Sequence, residues 1–178
     1  FNGLFARFGT EAVAAYGLVS RVGSVAFMPL FVLTVGLVTL VGMFYGAKRY
    51  ALNVRVIKAA LKYGLLYAVP LGILVWLFPA VILRILTDDA SVLAIAVSLV
   101  RIEVFEYPIM VFSFFLGRAM IGFGDGKPTL VITSIRLLLV AVPLGWLFVH
   151  LGYGPRSLIL SMLLAGVVAS VIAVFWIR

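Results

Sequence analysis

The chain has 178 residues, 65% of them apolar and only 11% charged, with a formal net charge of +8. Soluble domains are roughly 45–50% apolar and about 25% charged, so this balance excludes a soluble enzyme, a nucleic-acid-binding domain and a disordered tail. With no cysteine and a single histidine, His150, disulfides, thiolate metal sites, thiol nucleophiles and paired-histidine metal centres are excluded too.

Residues 1–10 read as an outer loop and the tail of a preceding helix, so the chain reads as a piece of something longer. A charge-free run then extends from Val22 to Ala47. It exceeds the roughly 20 residues that cross a bilayer core. With the stretch before it, the helix from Glu11 to Gly46 is too long for a straight crossing. Pro29 removes one backbone donor near its middle, so a bend is expected there. Gly42 and Gly46 form a G-x-x-x-G pair, a packing feature of membrane helices.

Five basic residues follow: Lys48, Arg49, Arg55, Lys58 and Lys62. They mark a membrane side and suit lipid headgroups, on what could be the start of an amphipathic helix; a specific regulatory site is the other reading. The second span is Tyr63 to Leu83. Thr87-Asp88-Asp89 is a loop whose aspartates can cap the next helix. That helix runs from about Ala90 to Gly122 and carries Arg101, Glu103, Glu106 and Arg118. The Gly122–Pro128 turn leads to a fourth span from about Thr129 to Leu151, which holds Arg136. Gly152-Tyr153-Gly154-Pro155 leads to the last, Ser157 to Ile177.

The expected fold class is therefore an all-α integral membrane bundle. It has five transmembrane helices and the stub of a sixth, since backbone groups in lipid must bond internally. Short connectors make neighbouring helices antiparallel. Lys48, Arg49, Arg55, Lys58, Lys62, Arg118, Lys127 and Arg178 then lie on one side, against Arg7, Arg21, Arg84 and Arg156 on the other. The positive-inside bias puts Lys48–Lys62 and Gly122–Pro128 in the cytoplasm.

Charges within spans are costly and need a reason. Glu103 and Glu106 are spaced i, i+3 and share a helix face with Met110. One reading is a proton or cation relay beside a cavity, with Pro108 loosening the backbone as a hinge. The other places these acids among headgroups. Arg101 snorkels outward. Arg136 either snorkels, finds a carbonyl, or lines an inner cavity. His150 is interfacial. Phe112, Phe114 and Phe115 are lipid-facing or core, or line a path for flat apolar compounds.

The connectors also carry a resemblance. Gly9–Leu18 with Arg21 and Met28-Pro29, then Leu40–Arg49, Leu86–Asp89, Gly122–Pro128, and Arg136 with Pro143–Trp146 follow one another in register. Together they resemble one lobe of the multidrug and toxic compound extrusion (MATE) family. The details are similar to the C-terminal lobe and to the DinF-like branch. The resemblance implies two six-helix lobes related by a pseudo-two-fold axis, with most of the first helix of this lobe and the whole N-terminal lobe missing here. It implies export of amphipathic or cationic compounds in exchange for H⁺ or Na⁺, with no other cofactor, in the plasma (inner) membrane. The sodium-coupled branch carries an acid at the position of Met110. The DinF-like branch keeps its coupling acids in the other lobe. A flippase for lipid-linked sugars and a non-transporting structural subunit are the alternative functions. A membrane enzyme is disfavoured, because no nucleophile–base pair can be assembled.

Overall fold

The computed structural model describes residues 2–176. Among them every regular element is helical. Two short turns open the chain, α1 (Asn2–Phe5) and a 3₁₀ turn (Ala6–Phe8). The long helices follow as α2 (Thr10–Gly46) and α3 (Tyr50–Leu77), then a short α4 (Pro79–Arg84). The third crossing is split into α5 (Ala90–Glu103) and α6 (Glu106–Gly122). The fourth is α7 (Lys127–Ser134), a π segment (Ile135–Ala141) and α8 (Val142–His150), and α9 (Arg156–Trp176) is the last. Among the described residues four helices are long and apolar enough to cross a membrane: Thr10–Gly46, Tyr50–Leu77, Lys127–His150 and Arg156–Trp176. The split α5–α6 pair runs between the same two ends of the bundle.

Three differences from the sequence reading have simple causes. The second crossing starts at Tyr50 rather than Tyr63, because Arg55, Lys58 and Lys62 sit on the exposed side of a helix that is already continuous. It ends at Leu77, since Pro79 starts a new helical turn. The helix expected over Ala90–Gly122 is interrupted at Val104–Phe105. Pro108 has no N–H to offer the Val104 carbonyl, and the Tyr107 N–H takes that carbonyl instead, at 3.2 Å, in a tighter turn. Pro29, by contrast, is carried inside an unbroken α2. Ile177 and Arg178 lie outside the described residues.

The buried stripe of α2 includes Ala12, Ala15, Val19, Ala26, Leu30, Leu37 and Val41. Spacings of three and four keep one face turned to the core over the whole length. Small residues let the other helices come close. On α9 the inward stripe is Ser161, Ala165, Ala169 and Ala173. Ser170 on the same helix donates to the Ile109 carbonyl of α6 at 2.9 Å.

Two crossings depend on glycine. A Cβ on Gly122 would lie 2.8 Å from Val41 Cβ and 2.9 Å from the Val38 carbonyl. One on Gly64 would lie 2.9 Å from Val111 Cγ1. Of the G-x-x-x-G pair, Gly42 packs on the Gly122 backbone, where a Cβ would be 3.3 Å from the carbonyl oxygen. Gly46 meets open space. The α2–α6 crossing also fixes which ends meet. The Tyr45 ring lies 5.2 Å from Phe123 and 5.7 Å from Tyr50. The segments Lys48–Lys62 and Gly122–Pro128 therefore lie at one end of the bundle. Phe5 stacked on Tyr16 at 4.4 Å lies at the other.

A buried ion pair at a broken helix

The interruption before Pro108 and the π segment face one another across the bundle. Glu106 is the first residue of α6 and is 8% exposed. Arg136 is the second residue of the π segment. Pro143 follows that segment and removes the N–H that a regular ladder would need. The backbone widens instead, and the Val142 N–H bonds back five residues to the Leu137 carbonyl. The two irregular segments bring their charges together: Arg136 Nη2 lies 2.5 Å from Glu106 Oε1. The other guanidinium arm, Nη1, lies 3.1 Å from Met110 Sδ. Among the described residues this is the one ion pair.

The pair borders a cavity of about 250 Å³. Its apolar wall includes Phe27, Phe31, Phe114 and Phe115, and its polar lining includes Glu103, Glu106 and Arg136. Phe31 and Phe114 meet edge to face at 5.3 Å. Glycines on neighbouring helices make room for both carboxylates. A Cβ on Gly23 of α2 would sit 3.2 Å from Glu103 Oε1, and one on Gly166 of α9 would sit 3.5 Å from Glu106 Oε1. The acids thus meet different helices while lining one cavity. Glu103 Oε2 and the Tyr107 hydroxyl are buried without a hydrogen-bond partner. A buried polar atom without a partner is costly, which marks these two as atoms poised for a further partner.

The remaining expected residues fall elsewhere. Arg101 is exposed, and His150 stacks on Trp146 at 4.0 Å. Phe114 and Phe115 line the cavity, whereas Phe112 does not. Pro108 sits in the first turn of α6, where its missing donor is tolerated. The Glu106–Arg136 pairing and the two close-packing glycines, Gly64 and Gly122, are not evident from sequence spacing. The one clue is two costly charges of opposite sign left on different spans.

In the loop before α5, Asp89 caps that helix. Its Oδ1 accepts the Ser91 N–H at 2.9 Å and the Ser91 hydroxyl at 2.7 Å. These bonds, the hydroxyl's first, hold the carboxyl below the usual aspartate range.

Comparison with known proteins agrees with this architecture. The MatE family model matches residues 1–147. A probable multidrug resistance protein NorM of Thermotoga maritima is 32% identical over 147 residues, which cover 79% of this chain and 30% of that protein. The Vibrio cholerae MATE transporter VcmN, in its bent form, superposes with a TM-score of 0.90 at 24% identity, over 97% of this chain and 39% of that one. A MOP superfamily transporter from Pyrococcus furiosus gives a TM-score of 0.92 at 19% identity, over 98% and 40%. The chain therefore spans well under half the length of these relatives. Its apolar helices and these relatives make it an integral membrane protein. Matched over most of its length and built on the same helical bundle as these transporters, the chain belongs to the MatE family.

Proposed function

We propose that this bundle is one lobe of a two-lobed secondary antiporter in the plasma (inner) membrane, with Lys48–Lys62 and Gly122–Pro128 cytoplasmic. In this reading it exports amphipathic or cationic compounds by alternating access against an N-terminal lobe. The observation that carries the proposal is the Glu106–Arg136 pair, held by one interrupted helix and one π-widened helix beside an aromatic-walled cavity. Discontinuous helices at mid-bundle can shift without breaking a regular ladder, and a charged pair there has no evident structural return. The multidrug name of the T. maritima relative supports the substrate class.

Chemically, the pair is a neutral unit. Adding a proton to Glu106 leaves Arg136 uncompensated and drives it off the carboxyl, so the two irregular segments move apart. Glu103, in the same cavity, is the second carboxylate available to the proton or to the cationic end of a substrate. The choice of coupling ion follows from Met110. Where the sodium-coupled branch carries an acid, this chain places a thioether against a resident guanidinium. A thioether is a poor ligand for a hard cation, so the chain lacks one oxygen donor a Na⁺ site would use there, and we favour H⁺ over Na⁺, in keeping with the DinF-like branch. Neither a sugar-lipid flippase nor a purely structural subunit is favoured by a specific observation.

The test is uptake of a cationic dye into everted vesicles bearing the full-length transporter. The proposal predicts accumulation that collapses when the pH gradient is dissipated and survives removal of Na⁺. Accumulation that follows Na⁺ alone would overturn the coupling assignment. No dye or drug movement under either gradient would overturn the exporter reading.

A further inference from the structure

A second concave site, sharing no lining residue with the ion-pair cavity, opens toward the basic end of the bundle. It is a groove of about 730 Å³ between α3, α6 and α9. Ligand pockets fall in the range of about 300–1,000 Å³. Its floor is apolar and is formed by Ile57, Leu61, Leu116, Met120 and Val174. Tyr50 and Trp176 stand at its mouth, the latter 50% exposed. From Tyr50 to Leu61 the groove follows α3 for about 17 Å at 1.5 Å per residue. Lys58 stands within this length, and the apolar lining continues past it at Leu61, Leu116 and Phe112.

The rim is strongly positive. Lys58 lines the groove itself, with Arg55 on the same exposed flank of α3 and Lys48 and Arg49 in the turn before it. None of these makes an ion pair among the described residues. One acid, Asp125, also lines the groove, its Oδ1 accepting the Lys127 N–H at 3.1 Å. An apolar groove flanked by cations that outnumber the one acid lining it is complementary to one class of molecule. We infer that this groove binds an anionic phospholipid, its acyl chain along Ile57, Leu61 and Leu116 and its phosphate at Lys58 and the Lys48–Arg49 turn. A zwitterionic lipid fits the slot but leaves the rim uncompensated. An amphipathic protein segment would need acids placed to meet it.

Trp176 supplies the readout. The full-length transporter is reconstituted in nanodiscs holding a small fraction of lipid brominated on its acyl chain, either phosphatidylglycerol or phosphatidylcholine. Trp176 emission is isolated as the difference from the Trp176→Phe variant. Stronger quenching by the brominated phosphatidylglycerol is expected. Each basic residue facing an anionic headgroup is worth about five-fold in binding, so Lys58→Glu should lower that preference by at least this factor. Leu116→Phe, which fills the floor without adding an indole, should reduce quenching by both lipids. Arg156→Glu, at the far end of the bundle, should change neither. All variants are compared at equal monodispersity in detergent. Equal quenching by the two lipids would overturn the proposal, as would unchanged quenching in both Lys58→Glu and Leu116→Phe. Absence of quenching by either lipid would show that polypeptide covers the groove, and would overturn it as well.

Discussion

The carboxylate of Glu106 and the guanidinium of Arg136 meet at 2.5 Å although thirty residues separate them, each beside a proline-induced irregularity in its own helix. Glu106 opens α6 just before Pro108, and Arg136 lies in the π segment that precedes Pro143. The backbone therefore surrenders regular hydrogen bonding where the two charges are held.

A buried pair loses more from the removal of one partner than from the loss of both. Glu106→Gln or Arg136→Met alone leaves a charge uncompensated, which typically costs about 3–5 kcal/mol. The double variant removes both charges and should be more stable than the Arg136→Met variant. Thermal unfolding in detergent of the two single variants and the double variant checks this. Equal and additive losses would show that the two side chains do not act as a pair.

Glycine at the α2–α6 crossing is required by contact. Gly122→Ala puts a methyl group 2.8 Å from Val41 and should cost roughly 1–3 kcal/mol by overpacking. Gly46→Ala meets open space within this bundle and should leave the unfolding midpoint unchanged. A midpoint shift of the same size in both variants would contradict the packing.

Pro108 sets the break between α5 and α6. Pro108→Ala restores a donor for the Val104 carbonyl and should convert the Tyr107–Val104 turn into continuous α-helix. Amide exchange near residues 104–108 should slow, while transport in the full-length protein falls. Faster exchange in the variant would show that proline is not the cause of the break.

Asp89 gives a pH signature at the start of α5. Its carboxyl is held low by the Ser91 hydroxyl and backbone bonds, so the cap's contribution is present above the unfolded aspartate pKa. It is lost as pH falls through the lowered folded value. Amide exchange in the first turn of α5 should be faster in Asp89→Ala than in the parent at neutral pH. The two should converge in strong acid. A difference that persists unchanged at low pH would mean the cap does not depend on the carboxylate.

The spans were legible because a charge-free run in lipid has few alternatives to a helix, and the short glycine- and proline-rich connectors fixed which ends meet. The start of α3 was hidden because Arg55, Lys58 and Lys62 look like loop charges in one dimension, yet lie on the exposed flank of a continuous helix. Pro108 was visible as a loosening element, but the sequence does not say which carbonyl its missing donor strands. The Glu106–Arg136 contact depends on how two irregular helices rotate against one another, which no local spacing encodes. The same holds for Gly122, which reads as part of a turn and serves as the point where α2 and α6 touch.

The most direct test of the transport role separates the pair's charge from its structural fit. Gradient-driven dye uptake is measured in proteoliposomes of the full-length transporter for the parent, Glu106→Gln, Arg136→Met and the double variant, at equal amounts of folded protein. The account predicts that both single variants and the double variant lose uptake, even though the double variant recovers stability relative to Arg136→Met. Uptake restored to the parent's level in the double variant would contradict it, and would leave Glu106 and Arg136 as a structural clamp with no part in moving charge.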